Sequence, residues 1–172
     1  WTGTSSGMES YDPDSRCFRP FKELPTSRQV NWIDEDRDGN LWIGTRDSLW
    51  VFNPVSRRMI HHGESTRDFL QDTSGRIWIA TLTRGIALYS AEKGALKYFT
   101  ESEGLANNQA ISIIEDNNRF LWIATTNGLS RFNPETGYFQ TYSGKDGLQN
   151  SQFNYGAALK TDSGELLFGG IS

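Results

Sequence analysis

A single cysteine, Cys17, excludes an intrachain disulfide in these 172 residues. That absence leaves the compartment open, because many proteins of the oxidising bacterial periplasm lack disulfides. Cys17 stands in Arg16-Cys17-Phe18 with no reactive partner beside it, and reads as a structural or surface thiol rather than a nucleophile. No stretch approaches the ~18 consecutive apolar residues that a membrane helix needs. There is no leader-type segment and no initiating Met, and both ends fall inside a repeat, so the chain is expected to be a piece of a longer protein. A net charge of −4 is too mild to suggest nucleic acid or anionic lipid as a partner of this segment. No Ser/His/Asp set, P-loop or dinucleotide fingerprint occurs. Helical patterning is also missing, since no segment keeps a 3.6-residue period over three turns.

What is present is one phrase, repeated. It reads Asp34-Glu35-Asp36-Arg37-Asp38-Gly39-Asn40-Leu41-Trp42-Ile43-Gly44-Thr45, then Asp72-Thr73-Ser74-Gly75-Arg76-Ile77-Trp78-Ile79-Ala80-Thr81. It returns as Glu115-Asp116-Asn117-Asn118-Arg119-Phe120-Leu121-Trp122-Ile123-Ala124-Thr125, and in degraded form as Asp162-Ser163-Gly164-Glu165-Leu166-Leu167-Phe168-Gly169-Gly170. Trp1, Trp42, Trp78, Trp122 and Leu167 are equivalent positions, separated by 41, 36, 44 and 45 residues. A repeat of that length, rich in strand formers and short turns, signals β-propeller blades. The fold expected is all-β: about four blades of four antiparallel strands over residues 1–172, part of a seven-bladed ring.

Within the best-preserved unit, Val30–Asp34 reads as strand a and Leu41–Thr45 as strand b. Leu49–Phe52 reads as strand c and Met59–His62 as strand d, with a hairpin turn at Gly39. Strand b is apolar almost throughout, as suits a strand covered on both faces. One blade cannot bury both faces alone and must stack on neighbours. The polar segments Glu103–Gln109 and Asp146–Gln152 separate strand d of one unit from strand a of the next.

The phrase E-D-x-x-G-x-L-W-I-G-T followed by G-L-x-x-[FY]-[ND]-P resembles the two-component regulator propeller repeat. So do the spacers Leu105-Ala106-Asn107-Asn108-Gln109-Ala110 and Leu148-Gln149-Asn150-Ser151-Gln152-Phe153. The resemblance covers essentially the whole chain. It implies the periplasmic sensor region of a Bacteroidetes-type hybrid two-component histidine kinase. There, two seven-bladed propellers precede an immunoglobulin-like domain, a membrane span, the kinase, and a receiver with a DNA-binding domain. It further implies an oligosaccharide ligand and control of polysaccharide-utilisation genes. The closing run resembles the last blade before the immunoglobulin-like domain, which would make this segment the C-terminal part of the second propeller. Two departures stand out: Arg119-Phe120 where the turn usually carries Gly, and a spacer after His61-His62 shortened to Gly63-Glu64-Ser65-Thr66.

The Trp row invites a sugar-stacking role, but each Trp lies in an apolar run and reads as inter-blade core. Trp32 and Trp50 are also read as packing. The d-to-a spacers and the b-to-c turns are expected on one face. That face would carry Arg28, Gln29, Arg46, Asp47, Arg67, Arg84, Asn107, Gln109, Asn127, Asn150 and Gln152. Arg, Asn and Gln offer fixed donor pairs that suit sugar hydroxyls and carboxylates. The ligand-binding candidates are Arg28, Arg46, Arg67, Arg84, Gln109, Asn127 and Gln152, each set against the plainer reading of a solvated turn residue. Phe153 and Tyr155 are read as packing against a following domain rather than lining the opening. His61 and His62 point to opposite faces of a strand, so no metal is expected, and no other cofactor either. The carboxylate groups Asp34-Glu35-Asp36 and Glu115-Asp116 recur once per unit, which marks turn formers rather than an acid–base pair.

Three functions compete. The first is a sensory propeller that is not itself an enzyme, its full-length protein carrying the kinase. The second is a propeller lyase or hydrolase, since an antibiotic lyase has similar repeats. The third is an interaction scaffold. A partial ring exposes blade faces, so self-association of this piece is expected.

Overall fold

In the computed structural model, residues 1–24, 29–149 and 151–170 are described. They form seventeen strands in five sheets. The chain divides after Thr66 into two compact units, Trp1–Thr66 and Arg67–Ser172. The first unit holds β1 (Thr2–Thr4), β2 (Gly7–Asp12) and β3 (Cys17–Pro20) in one sheet. Its second sheet is β4 (Val30–Glu35), β5 (Leu41–Thr45), β6 (Leu49–Phe52) and β7 (Met59–His62). In the second unit β8 (Thr66–Gln71), β9 (Ile77–Thr81), β10 (Ile86–Ser90) and β11 (Ala95–Phe99) make one four-stranded sheet. Another is β12 (Ala110–Glu115), β13 (Leu121–Thr125), β14 (Gly128–Asn133) and β15 (Tyr138–Tyr142). The last sheet is β16 (Phe153–Lys160) with β17 (Leu166–Gly170).

Every sheet is a meander in which each strand pairs with its successor, the arrangement of a propeller blade. The expected four blades of four strands resolve into three such sheets, one of three strands and one of two. Strands b, c and d of the best-preserved unit have the predicted bounds, and strand a runs one residue longer, to Glu35. The only helical turns among the described residues are two short 3-10 segments, Glu101–Glu103 and Gly144–Asp146. They sit in the polar spacers, where sequence pattern gave no helix.

The repeated hairpin turn has one chemistry. Asp36, Asp72 and Asp116 each receive the backbone N–H three residues on and donate their own N–H to the carbonyl four residues on. Their carboxylates also accept turn amides, from Asn40, Arg76 and Phe120 respectively. The second carboxylate oxygen reaches the core and accepts the indole N–H six residues later. Trp42 Nε1 donates to Asp36 Oδ2 over 2.8 Å, Trp78 Nε1 to Asp72 Oδ2 over 3.0 Å, and Trp122 Nε1 to Asp116 Oδ2 over 2.8 Å. A buried indole N–H needs an acceptor, and the turn aspartate is it. In the degraded copy both partners are replaced together, by Thr161 and Leu167, and the backbone turn persists.

Trp42 and Trp78 are 1% exposed. Trp78 sits in a core with Ile86, Ile113, Leu121, Ile123, Phe132 and Phe139 drawn from two neighbouring sheets. This is the expected inter-blade core. Trp1 departs from it. It precedes β1, is 50% exposed, and meets Phe21 edge-on with ring centroids 5.1 Å apart. Trp122 is only half-buried and stacks on Tyr142, because the sheet beyond it has two strands.

Candidate polar rim and comparison with known proteins

The spacers between sheets in the second unit open on capped 3-10 turns. Thr100 caps the first 3-10 turn by accepting from Ser102 N, while Glu103 accepts from Thr100 N and Oγ1. Those hydrogen bonds, that from the Thr100 backbone foremost, hold the Glu103 carboxyl below the usual range. Ser143 and Asp146 repeat the box in the second spacer. Glu101 and Asn108 then clasp each other, each backbone N–H donating to the other's side chain. Asn107 accepts from Thr126 Oγ1 and from Gln109 N. Asn107 and Asn108, prominent in the sequence motif, therefore hold the spacer together.

These spacers lie along the b-to-c turns, as expected. Gly85 N donates to Asn108 O, Thr126 N donates to Gln109 O, and Gly128 N donates to Ser151 O. Gly85 and Gly128 are glycines for a reason beyond their positive φ of 72° and 108°. A Cβ at Gly85 would collide with the Phe99 carbonyl oxygen, and one at Gly128 would lie 2.7 Å from that of Tyr142. The close approach draws the turns and spacers into one continuous edge.

Four predicted candidates follow that edge in order. Arg84 precedes Gly85, Gln109 follows Asn108, Asn127 lies between Thr126 and Gly128, and Gln152 follows Ser151. All four are exposed. The Arg84 guanidinium lies over the Tyr98 ring, 3.7 Å from its centroid. Arg46 is exposed on the β5–β6 turn of the first unit. Arg67 belongs elsewhere than sequence reading placed it. The shortened spacer is only three residues, so Arg67 falls inside β8, half-buried, with its guanidinium over Tyr155. Arg28 and Asn150 lie outside the described residues.

The other polar motifs are consumed structurally. Arg76 joins Asp72, over 2.6 Å, to Glu135, over 2.7 Å. Burial alone lowers its pKa, and the hydrogen bonds to both carboxylates outweigh that and raise it. Glu115 accepts from Thr73 N and Oγ1 of the preceding sheet, each at 2.8 Å, a tie between sheets that sequence reading missed. Among the described residues no three His, Cys, Asp or Glu side chains are placed to hold a metal. None of the described helices is long and apolar enough to cross a membrane.

Successive four-stranded antiparallel meanders, packed face to face through a Trp-centred core, define a β-propeller segment. The family model described as two component regulator propeller matches residues 23–47 and 104–127. The second match runs from the spacer after β11 through β12 and β13 to Asn127, and so includes Gln109. Histidine kinase P4 of Formosa agariphila is 24% identical over 190 residues, covering 99% of this chain and 14% of that protein. The crystal structure of the extracellular domain of BT3049 from B. thetaiotaomicron, assigned as a hybrid two component system, superposes with a TM-score of 0.78. The identity is 24%, covering 95% of this chain and 24% of that one. Virginiamycin B lyase from Staphylococcus aureus shares the fold at a TM-score of 0.67 and 12% identity, covering 98% of this chain and 64% of the enzyme. The chain thus spans about a seventh of the curated relative and about a quarter of that extracellular domain.

Proposed function

We propose that this chain is part of an extracytoplasmic, periplasmic sensing propeller in a hybrid two-component signalling protein, and that its ligand is an oligosaccharide. The observation that carries the reading is the row Arg84, Gln109, Asn127 and Gln152, exposed along one hydrogen-bonded rim. Part of that rim lies within the matched family repeat. Amide and guanidinium groups present donors and acceptors at fixed angles, the chemistry that reads sugar hydroxyls. The segment itself acts as a non-catalytic sensor. The kinase and the output to polysaccharide-utilisation genes reside in other parts of the protein, reached through an immunoglobulin-like domain. Signalling requires that the ligand bind one arrangement of these parts more tightly than another, because equal affinity shifts nothing.

Thermal unfolding of the complete extracytoplasmic region against a panel of polysaccharide-derived oligosaccharides tests this. A ligand at 100 times its Kd adds about 2.7 kcal/mol, and the expected result is a shift for one glycan class. No shift across a broad panel overturns the oligosaccharide reading.

A scaffold role is favoured by one feature. The sheet β16–β17 leaves Tyr155, Leu159 and Leu167 more than half exposed, and exposed apolar faces drive association. Light scattering on the 172-residue chain is expected to show oligomers, and a sharp monomer mass removes this reading.

A further inference from the structure

β8, β12 and β16 are the first strands of three successive sheets, and β12 lies between the other two in sequence. Yet Arg67 on β8 reaches Tyr155 on β16, its guanidinium carbon 4.7 Å from the ring centroid. A contact that skips a blade is available only where first strands converge, on the inner side of the propeller around its channel. Arg67 occupies the repeat position five residues before the turn aspartate. At that position β12 carries Ile111, where its register against β13 shifts. Such irregularities re-aim side chains and gather beside functional sites.

The chemistry of the pair is unspent. Among the described residues Arg67 makes no salt bridge, and its Nε is buried with no hydrogen-bond partner. The adjacent carboxylate of Asp68 accepts from Phe69 N at one oxygen and from Ile113 N at the other. With Nε buried, the terminal nitrogens of the guanidinium are the ones able to take a two-oxygen anion, end on. Tyr155 is 61% exposed, so its ring remains open to a sugar face.

We infer that Arg67 and Tyr155 form an inner, channel-side subsite for the oxyanion of an acidic saccharide, a carboxylate or sulfate carried on a pyranose ring. Arg67 takes the anion through its planar fork and Tyr155 takes the ring. The inference rests on the oligosaccharide reading and narrows it. It also gives Tyr155 a ligand in place of the domain packing expected from sequence.

Calorimetric titration of the full 172-residue chain at low ionic strength tests it, with three probes: a uronic acid disaccharide, a sulfated galactose disaccharide and neutral cellobiose. An acidic probe is expected to bind at least tenfold more tightly than cellobiose, and the acidic probe that binds identifies the anion. Arg67→Gln and Arg67→Lys are each expected to lose that preference, since Lys keeps the charge but not the fork. Tyr155→Ala weakens the acidic probe severalfold, while salt titration leaves a residual preference only in chains retaining Arg67. Equal binding of acidic and neutral probes, or an unchanged preference in Arg67→Lys, overturns the subsite and leaves oligosaccharide sensing standing. Absence of binding by all three overturns the subsite, and the broader glycan panel decides the parent reading separately.

Discussion

The two ends of the sheets spend their polar residues differently. At the a-to-b hairpin end, Asp36, Asp72 and Asp116 satisfy a turn and an indole at once. Arg76 is divided between Asp72 and Glu135, and Glu115 is bound to the turn of the preceding sheet through Thr73. At the opposite end the hydrogen bonds that build the rim are made largely by backbone and by Asn107, Asn108 and capping side chains. Arg84, Gln109, Asn127 and Gln152 are left outward. The residues that repeat most faithfully are thus the ones least available to a ligand. Repetition of the turn aspartate and its indole in this chain records stability.

The sharpest way to break that contrast is to remove the buried end of it. Asp72 is fully buried and accepts from Trp78 Nε1, Arg76 N and Arg76 Nε. Asp72→Ala strands these donors and is expected to cost about 3 kcal/mol, since each buried unsatisfied group costs about 1–3 kcal/mol. Gln109→Ala on the exposed rim is expected to stay within about 0.5 kcal/mol. Urea midpoints for the two variants check both numbers. Equal losses would erase the distinction between the ends.

A smaller effect is expected where the repeat varies inside its core. Ala80 and Ala124 occupy the position that Gly44 holds in the β4–β7 sheet. Gly44 pairs with Trp32, and a Cβ there would collide with the Trp32 indole. Gly44→Ala is expected to cost about 2 kcal/mol through overpacking. The double variant Gly44→Ala/Trp32→Ser should recover part of it, because Ser112 already faces Ala124 at the equivalent pair. Additive losses in the cycle would show that Trp32 and Gly44 were not fitted to each other.

Much of this was legible beforehand, and the reasons are specific. Leu41–Thr45, Leu49–Phe52 and Met59–His62 have their predicted bounds because Gly39 and the Asn53-Pro54 pair punctuate an otherwise apolar, β-branched run. The Asp–Trp bond was not read, although its signal was present: a constant spacing of six, and the joint loss of both partners at Thr161 and Leu167. The rim was legible as a face but not as a set. Arg84, Gln109, Asn127 and Gln152 follow one backbone path, whereas Arg67 left it because a three-residue spacer moves β8 forward. Tyr155 beneath Arg67 was beyond sequence, since no pattern links residues 88 positions apart.

Acid should expose a further difference within the first unit. Burial, and then the neighbouring charge of His61, hold the His62 imidazole below its ordinary value of 6.5. The unfolded chain therefore takes up a proton at a higher pH than the folded one. Between those two values the unfolded state binds more protons, so stability rises with pH through that window and is lost as pH falls below about 6.5. Urea midpoints at neutral and mildly acid pH are expected to show this decline, and His62→Gln to flatten it. An unchanged slope in that variant would assign the decline to other groups.

The smallest expected effect concerns the hairpin turn itself. Gly39, Gly75 and Gly164 occupy its left-handed position with φ of 76°, 85° and 89°, and Arg119 occupies it with φ of 64°. The backbone hydrogen bond of the turn is retained, Arg119 N donating to Asp116 O over 3.2 Å. A side chain in this region costs about 1–2 kcal/mol, and glycine returns about 0.4–1 kcal/mol of that through the entropy of the unfolded chain. Arg119→Gly should therefore stabilise by about 0.5–1 kcal/mol, and Gly75→Arg should destabilise by a similar amount. Arg119 is exposed, so the sign of the Arg119→Gly change is expected to be set by the backbone. A loss of stability on introducing glycine would mean that the Arg119 side chain contributes something that the turn geometry does not.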